Sequence, residues 1–68
     1  MEDIKIVTEY IKLDQLLKLS GLVLSGVEAK MIINEGEVKV NGEVEVRRGR
    51  KLRKGDRIEI DGKIIRIV

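Results

Sequence analysis

The chain has no cysteine, no histidine and no proline, and its one aromatic residue is Tyr10. Without Cys, neither a disulfide nor a thiolate metal site can staple the fold. Without His there is no imidazole ligand for zinc and no side chain that ordinarily titrates near neutral pH. No cofactor and no metal are expected. A nucleophile needs an adjacent base and usually a third group to orient it. The candidates are Thr8, Ser20 and Ser25, and Ser25 is better explained as a helix cap. Glu35 and Glu37 flank Gly36 as i, i+2 carboxylates at a helix exit, the pattern of a solvated surface rather than of a paired acid and base. The glycines form neither a G-x-x-x-x-G-K-[ST] loop nor a G-x-G-x-x-G turn, so no phosphate-cradling loop is expected. An enzyme is not expected, nor a small-molecule substrate.

Long apolar runs are also missing. The first residues, Met1-Glu2-Asp3-Ile4-Lys5-Ile6, are charged from the second position, which argues against a secretory signal or a membrane span and for a cytoplasmic protein that makes no membrane contact. At 68 residues the chain has room for one domain, 1–68, held by aliphatic packing near the lower limit of independent folding.

What is present is unevenly distributed charge. Arg47-Arg48-Gly49-Arg50-Lys51-Leu52-Arg53-Lys54 carries six cationic side chains and no acid, while the other sixty residues hold eight Lys/Arg against twelve Asp/Glu. The chain is an acidic body with one basic ribbon. Like charges this dense repel one another, and Arg47, Arg48 and Arg50 carry planar forks that can grip phosphate through two hydrogen bonds. A single-sign field of this kind is the footprint of a polyanion, with Leu52 anchoring the ribbon to the core. With Tyr10 the only ring, stacking of successive bases along a single strand is not the expected main mode. Backbone and shape recognition of a folded RNA, or nonspecific duplex binding, fits better.

The remaining residues supply a scaffold. Ile4, Ile6 and Val7 suggest a short strand over 4–7. Leu13, Leu16 and Leu17 at i, i+3, i+4 spacing predict a helix over about 12–19, closed by Gly21. Ser25-Gly26-Val27-Glu28 is an S-x-x-E capping box that opens a second helix ending at Gly36, with Val27, Ala29, Met31, Ile32 and Ile33 as its apolar face. Val38, Val40, Val44 and Val46 surround Asn41-Gly42, a hairpin signal, and are expected to form one valine face against the helices. Gly55-Asp56 marks a turn, and Asp61-Gly62 joins Ile58 and Ile60 to the last strand, 64–68. The fold class is α+β: two short helices packed on a small, mostly antiparallel β-sheet, in the order β-α-α-β-β-β-β.

Lys12-Leu13-Asp14, Leu16-Leu17, Gly21, Ser25, Glu28-Ala29-Lys30, Ile32-Ile33, Gly36, Val38-Lys39-Val40-Asn41-Gly42, Leu52 and Gly55-Asp56 together resemble the alpha-L RNA-binding motif, the S4-like domain. The resemblance covers about Lys12 to Ile60, and the ribbon resembles that of small free-standing bacterial members of the YaaA type. It implies a module that binds structured RNA, ribosomal or transfer, in some members on the ribosome. It also implies contacts from Lys12, Ser25 and Lys30, extended by Arg47, Arg48, Arg50 and Lys51, to which the charge of the ribbon adds Arg53 and Lys54. Two positions depart from the family pattern: Lys12 and Gly26 stand where Arg is frequent. A monomer is expected. The rival readings are a protein-interaction adaptor using Glu28, Glu35, Glu37, Glu43 and Glu45 as an acidic face, and a targeting subunit for a separate RNA-modifying enzyme.

Overall fold

The computed structural model describes residues 1–68. Its elements are β1 (Glu2–Ile4), β2 (Ile11–Lys12), α1 (Leu13–Leu19), α2 (Gly26–Asn34), β3 (Val38–Val40), β4 (Glu43–Val44), β5 (Lys51–Leu52), β6 (Arg57–Ile60) and β7 (Lys63–Ile67). A five-stranded sheet runs β1-β7-β6-β3-β4, and β2 pairs with β5 in a separate two-stranded ladder. Within the large sheet only β1 and β7 are parallel. The expected order holds once this small ladder is added. The first strand lies earlier than 4–7, because it is Glu2, Asp3 and Ile4 that pair with Ile65, Arg66 and Ile67 of β7, while Ile6 is buried beyond its end and Val7 is exposed.

Both helices follow from their leucine and isoleucine spacing. Leu13, Leu16 and Leu17 of α1 are fully buried, as are Ala29 and Ile33 of α2. Ser25 Oγ accepts the Glu28 backbone N–H at 3.2 Å, which is the expected N-cap. The apolar face of α2 is narrower than its composition suggested. Val27 and Met31 point outward, 71% and 55% exposed, because only the turn bearing Ala29 and Ile33, with Ile32 half-buried, reaches the sheet.

The sheet contributes Val38 and Val40 from β3, Ile58 and Ile60 from β6, and Ile65 and Ile67 from β7. Ile58 stands opposite Val40 on one side and Ile65 on the other, so the inward rows are continuous across three strands. Each fully buried aliphatic of this kind stabilises by about 1.5–3 kcal/mol relative to an exposed one. Both hairpins turn on two residues with positive φ, Asn41-Gly42 (53° and 87°) and Asp61-Gly62 (50° and 77°), as a type I′ turn requires.

The expected single valine face does not form. A two-residue turn after Val40 sets Glu43 opposite Val40 and Val44 opposite Lys39, and Glu45 N–H donates to the Val38 carbonyl at 2.9 Å. Val44 and Val46 consequently share the solvent face with Lys39 and are 55% and 54% exposed. It is Glu45 that turns inward, 6% exposed. This inversion shapes the site.

Candidate nucleic-acid interface

The basic ribbon is a mounted structure, not an open connection. Its first part is a turn closed by the Arg50 N–H on the Arg47 carbonyl at 3.2 Å, with Arg48 and Gly49 at the tip. The Arg50 and Arg48 carbonyls accept the Leu13 and Asp14 N–H groups at 2.9 and 3.0 Å, so the ribbon backbone satisfies donors that α1 leaves free in its first turn. Next comes β5, where Leu52 is fully buried against the core as expected. The last part is a turn in which Asp56 accepts the Arg53 N–H at 2.8 Å and also the Asn41 side-chain amide at 3.1 Å. Three separate elements thus hold eight residues in place.

Glu45 sits beneath this ribbon. The Arg47 guanidinium grips it with Nε and a terminal nitrogen at 3.1 and 3.0 Å, and Arg50 adds a third contact at 3.0 Å. The Arg47 backbone N–H donates to it as well, at 3.0 Å. Hydrogen bonds from Arg47, then from Arg50, hold the Glu45 carboxyl down at about 2 against the opposing cost of burial, and Glu45 in turn raises Arg47. The expectation of a ribbon without acidic partners is therefore corrected for Arg47 and Arg50. Their forks are engaged by the protein itself, and Arg50 is only 33% exposed along its side chain. The acidic face imagined for an adaptor loses Glu45 for the same reason.

Four ribbon cations remain without an internal ion pair: Arg48, Lys51, Arg53 and Lys54, all exposed. The β2–β5 ladder then adds a fifth. Lys12 and Lys51 are direct cross-strand partners, both exposed, which joins a residue singled out by resemblance to one singled out by charge. Directly opposed like charges destabilise a strand pair. Lys51 Nζ also lies 4.8 Å from the centroid of the Tyr10 ring, a cation–π contact that the sequence alone did not suggest.

Ser25 and Lys30 lie on α2, both exposed. Ser25 is occupied as the N-cap, and no ion pair or hydrogen bond restrains the Lys30 ammonium. The other hydroxyls considered for chemistry are tied to backbone: Thr8 Oγ1 donates to the Tyr10 carbonyl, and Ser20 Oγ donates to the Leu17 carbonyl, each at 2.8 Å. At the exit of α2, hydrogen bonding with Glu35, then burial and the charges of Glu35 and Asp61, push the Glu37 carboxyl up. No group of three or more acidic side chains is arranged to hold a metal.

The S4 domain family model matches residues 4–68. This chain belongs to the S4 domain family. Among relatives of this S4 domain, the Bacillus subtilis (strain 168) "Probable ribosome maturation protein RlbA" is 52% identical over 59 residues, covering 87% of this chain and 83% of the relative. YbcJ of Escherichia coli (strain K12) is 41% identical over 59 residues, covering 87% and 84%. The solution structure of E. coli YbcJ, described as revealing an alpha-L motif involved in RNA binding, matches with a TM-score of 0.76 at 36% identity over 100% of this S4 domain and 87% of that chain. The 30S ribosomal protein S4e of Thermoplasma acidophilum matches with a TM-score of 0.68 at 29% identity, over 90% of this S4 domain and 32% of the larger protein. The α+β arrangement of two helices on a mostly antiparallel sheet is that of the alpha-L motif.

Proposed function

We propose that this S4 domain is a non-catalytic module that binds structured RNA, ribosomal RNA before transfer RNA, through phosphate contacts and shape. The observation that carries the reading is the unrelieved pairing of Lys12 with Lys51, set beside Arg48, Arg53 and Lys54, none of which has an acidic partner. A strand pair selected for stability alone would place opposite charges there. A polyphosphate resolves the repulsion, and neutralising phosphates releases condensed counterions, the main driving force for such binding. The rigid mounting of the ribbon on α1, β2 and the Asn41 hairpin fixes the spacing of the cations, so that a folded backbone of matching shape is preferred over a flexible strand.

Support also comes from the relatives: one is named for ribosome maturation, one matching structure is described through RNA binding, and another is a ribosomal protein. Arg47 and Arg50 act on this reading as the mount, and Arg48, Lys51, Arg53, Lys54 and Lys12 as the contact surface, with Ser25 and Lys30 at its α2 side. The test is fluorescence anisotropy of the labelled chain titrated with purified ribosomal RNA or with poly-uridine at equal nucleotide concentration. Ribosomal RNA should bind more tightly, and Lys12→Glu with Lys51→Glu should remove that binding. Equal binding of both polymers, or an unaffected double variant, contradicts the proposal.

A further inference from the structure

The only aromatic ring of the chain is not in the core. Tyr10 is 36% exposed, although an aromatic side chain carries more area to bury than any of the aliphatics that fill the interior. It stands beside the paired lysines, with Lys51 Nζ 4.8 Å from its ring and Lys51 opposite Lys12. Its backbone is held on both sides: Thr8 Oγ1 donates to its carbonyl at 2.8 Å, and Ile11 pairs with Leu52 in the β2–β5 ladder.

Tyr10 lines an open groove of about 720 Å³ together with Thr8, Glu9, Ile11, Lys12, Gln15 and Leu19. That size is within the roughly 300–1,000 Å³ usual for small-ligand pockets. Leu19 gives the groove an apolar wall, 60% exposed and without a partner in the fold. Gln15 turns its amide oxygen to the Lys12 N–H at 3.3 Å, and its amide N–H₂ has no acceptor within the chain. Glu9 is the one acid of the lining, set against Lys12 and against Lys51 at the Tyr10 ring, and a ring, an apolar wall, a free amide donor and these two ammonium groups match one ligand chemistry, a flat base attached to a phosphate chain.

We propose that this groove seats one unpaired nucleobase of the bound RNA, stacked on Tyr10, with Lys12 and Lys51 holding the phosphates beside it. The inference rests on the RNA-binding reading and deepens it. A single ring makes a single stop on the RNA, so the preferred target is a helical stem bearing a bulged or loop nucleotide, the kind of feature that sequence-specific RNA recognition uses.

Tyrosine emission tests this directly, because with one Tyr and no Trp the signal comes from position 10 alone. The probes are an RNA hairpin carrying one bulged adenosine in its stem and the same hairpin fully paired, each titrated into the whole chain at low salt. Anisotropy of the labelled RNA reports binding in parallel. Both hairpins should bind, the bulged one roughly ten-fold more tightly, and only the bulged one should quench tyrosine emission. Tyr10→Phe should keep the preference. Tyr10→Leu should lose it while leaving affinity for the paired hairpin and the far-ultraviolet circular dichroism unchanged. Unquenched emission from a chain saturated with bulged RNA, or a preference that survives Tyr10→Leu, overturns the inference and leaves the RNA reading standing. If neither hairpin shifts the anisotropy, the RNA reading itself falls and takes this one with it.

Discussion

Lys12 and Lys51 face each other across the β2–β5 ladder with no acidic partner for either. Local rules are broken in this way chiefly where function demands it. The main sheet also sets Arg57 opposite Arg66, but there Asp3 stands beside Arg66 in register and bonds it at 3.1 Å, and Lys39 lies opposite Glu59. What sets Lys12 and Lys51 apart is the missing acid, and that separates stability from binding.

Lys12→Glu should expose that separation. It creates an opposite-charge pair with Lys51 and puts a carboxylate at the N-cap of α1, so stability should rise by about 0.2–1 kcal/mol. RNA affinity should fall at the same time. Urea unfolding and an RNA titration on the same variant check both directions.

The ribbon arginines should divide by role. Glu45→Ala removes the shared partner of Arg47 and Arg50 and should cost about 1–3 kcal/mol of stability. Arg48→Ala touches no internal partner and should stay within about 0.5 kcal/mol while weakening RNA binding. Denaturant midpoints set against binding constants for the two variants separate the mount from the contact surface.

Acid should reach the mount before neutral-pH measurements reveal it. The Glu45 carboxyl titrates at about 2 in the folded chain against an ordinary value of 4.5. Between those values the unfolded chain binds the extra proton, so folding stability falls as pH drops through that window. The contribution is whole above the ordinary value and gone below about 2. Unfolding from pH 6 to pH 2 should show a steeper loss for the unmodified chain than for Glu45→Gln. Parallel curves would mean that Glu45 is not held as described.

Leu52 ties the ribbon to the interior, and Leu52→Ala should cost about 2–5 kcal/mol as a buried large-to-small change. It should also weaken RNA binding more than a surface substitution of equal charge, since it frees Lys51 from its register. Hydrogen exchange at Ile11 and Leu52 would show the ladder opening.

Much of this architecture is legible in the sequence, because leucine spacing, the Ser25 cap and the two Xaa-Gly turns are local signals. The valine face does not form, for a reason that is also local. Simple alternation across Asn41-Gly42 would pair valine with valine, whereas a two-residue turn forces 40 to face 43 and 38 to face 45. Counting register through the turn would have sent Glu45 inward. The β2–β5 ladder left no such trace: two residues per strand are too few for periodicity, and Lys12 and Lys51 are 39 positions apart. Tyr10 meets Lys51 only through that ladder, which is why a lone aromatic carried no message in the linear chain.

The account depends most on an open, phosphate-facing cation surface, and the salt dependence of RNA binding measures it most directly. Contacts from Lys12, Arg48, Lys51, Arg53 and Lys54 predict a slope of log K against log salt of roughly −3 to −5, made shallower by about two when Lys12 and Lys51 are both alanine. A flat slope, or one that the double substitution leaves unchanged, would contradict it.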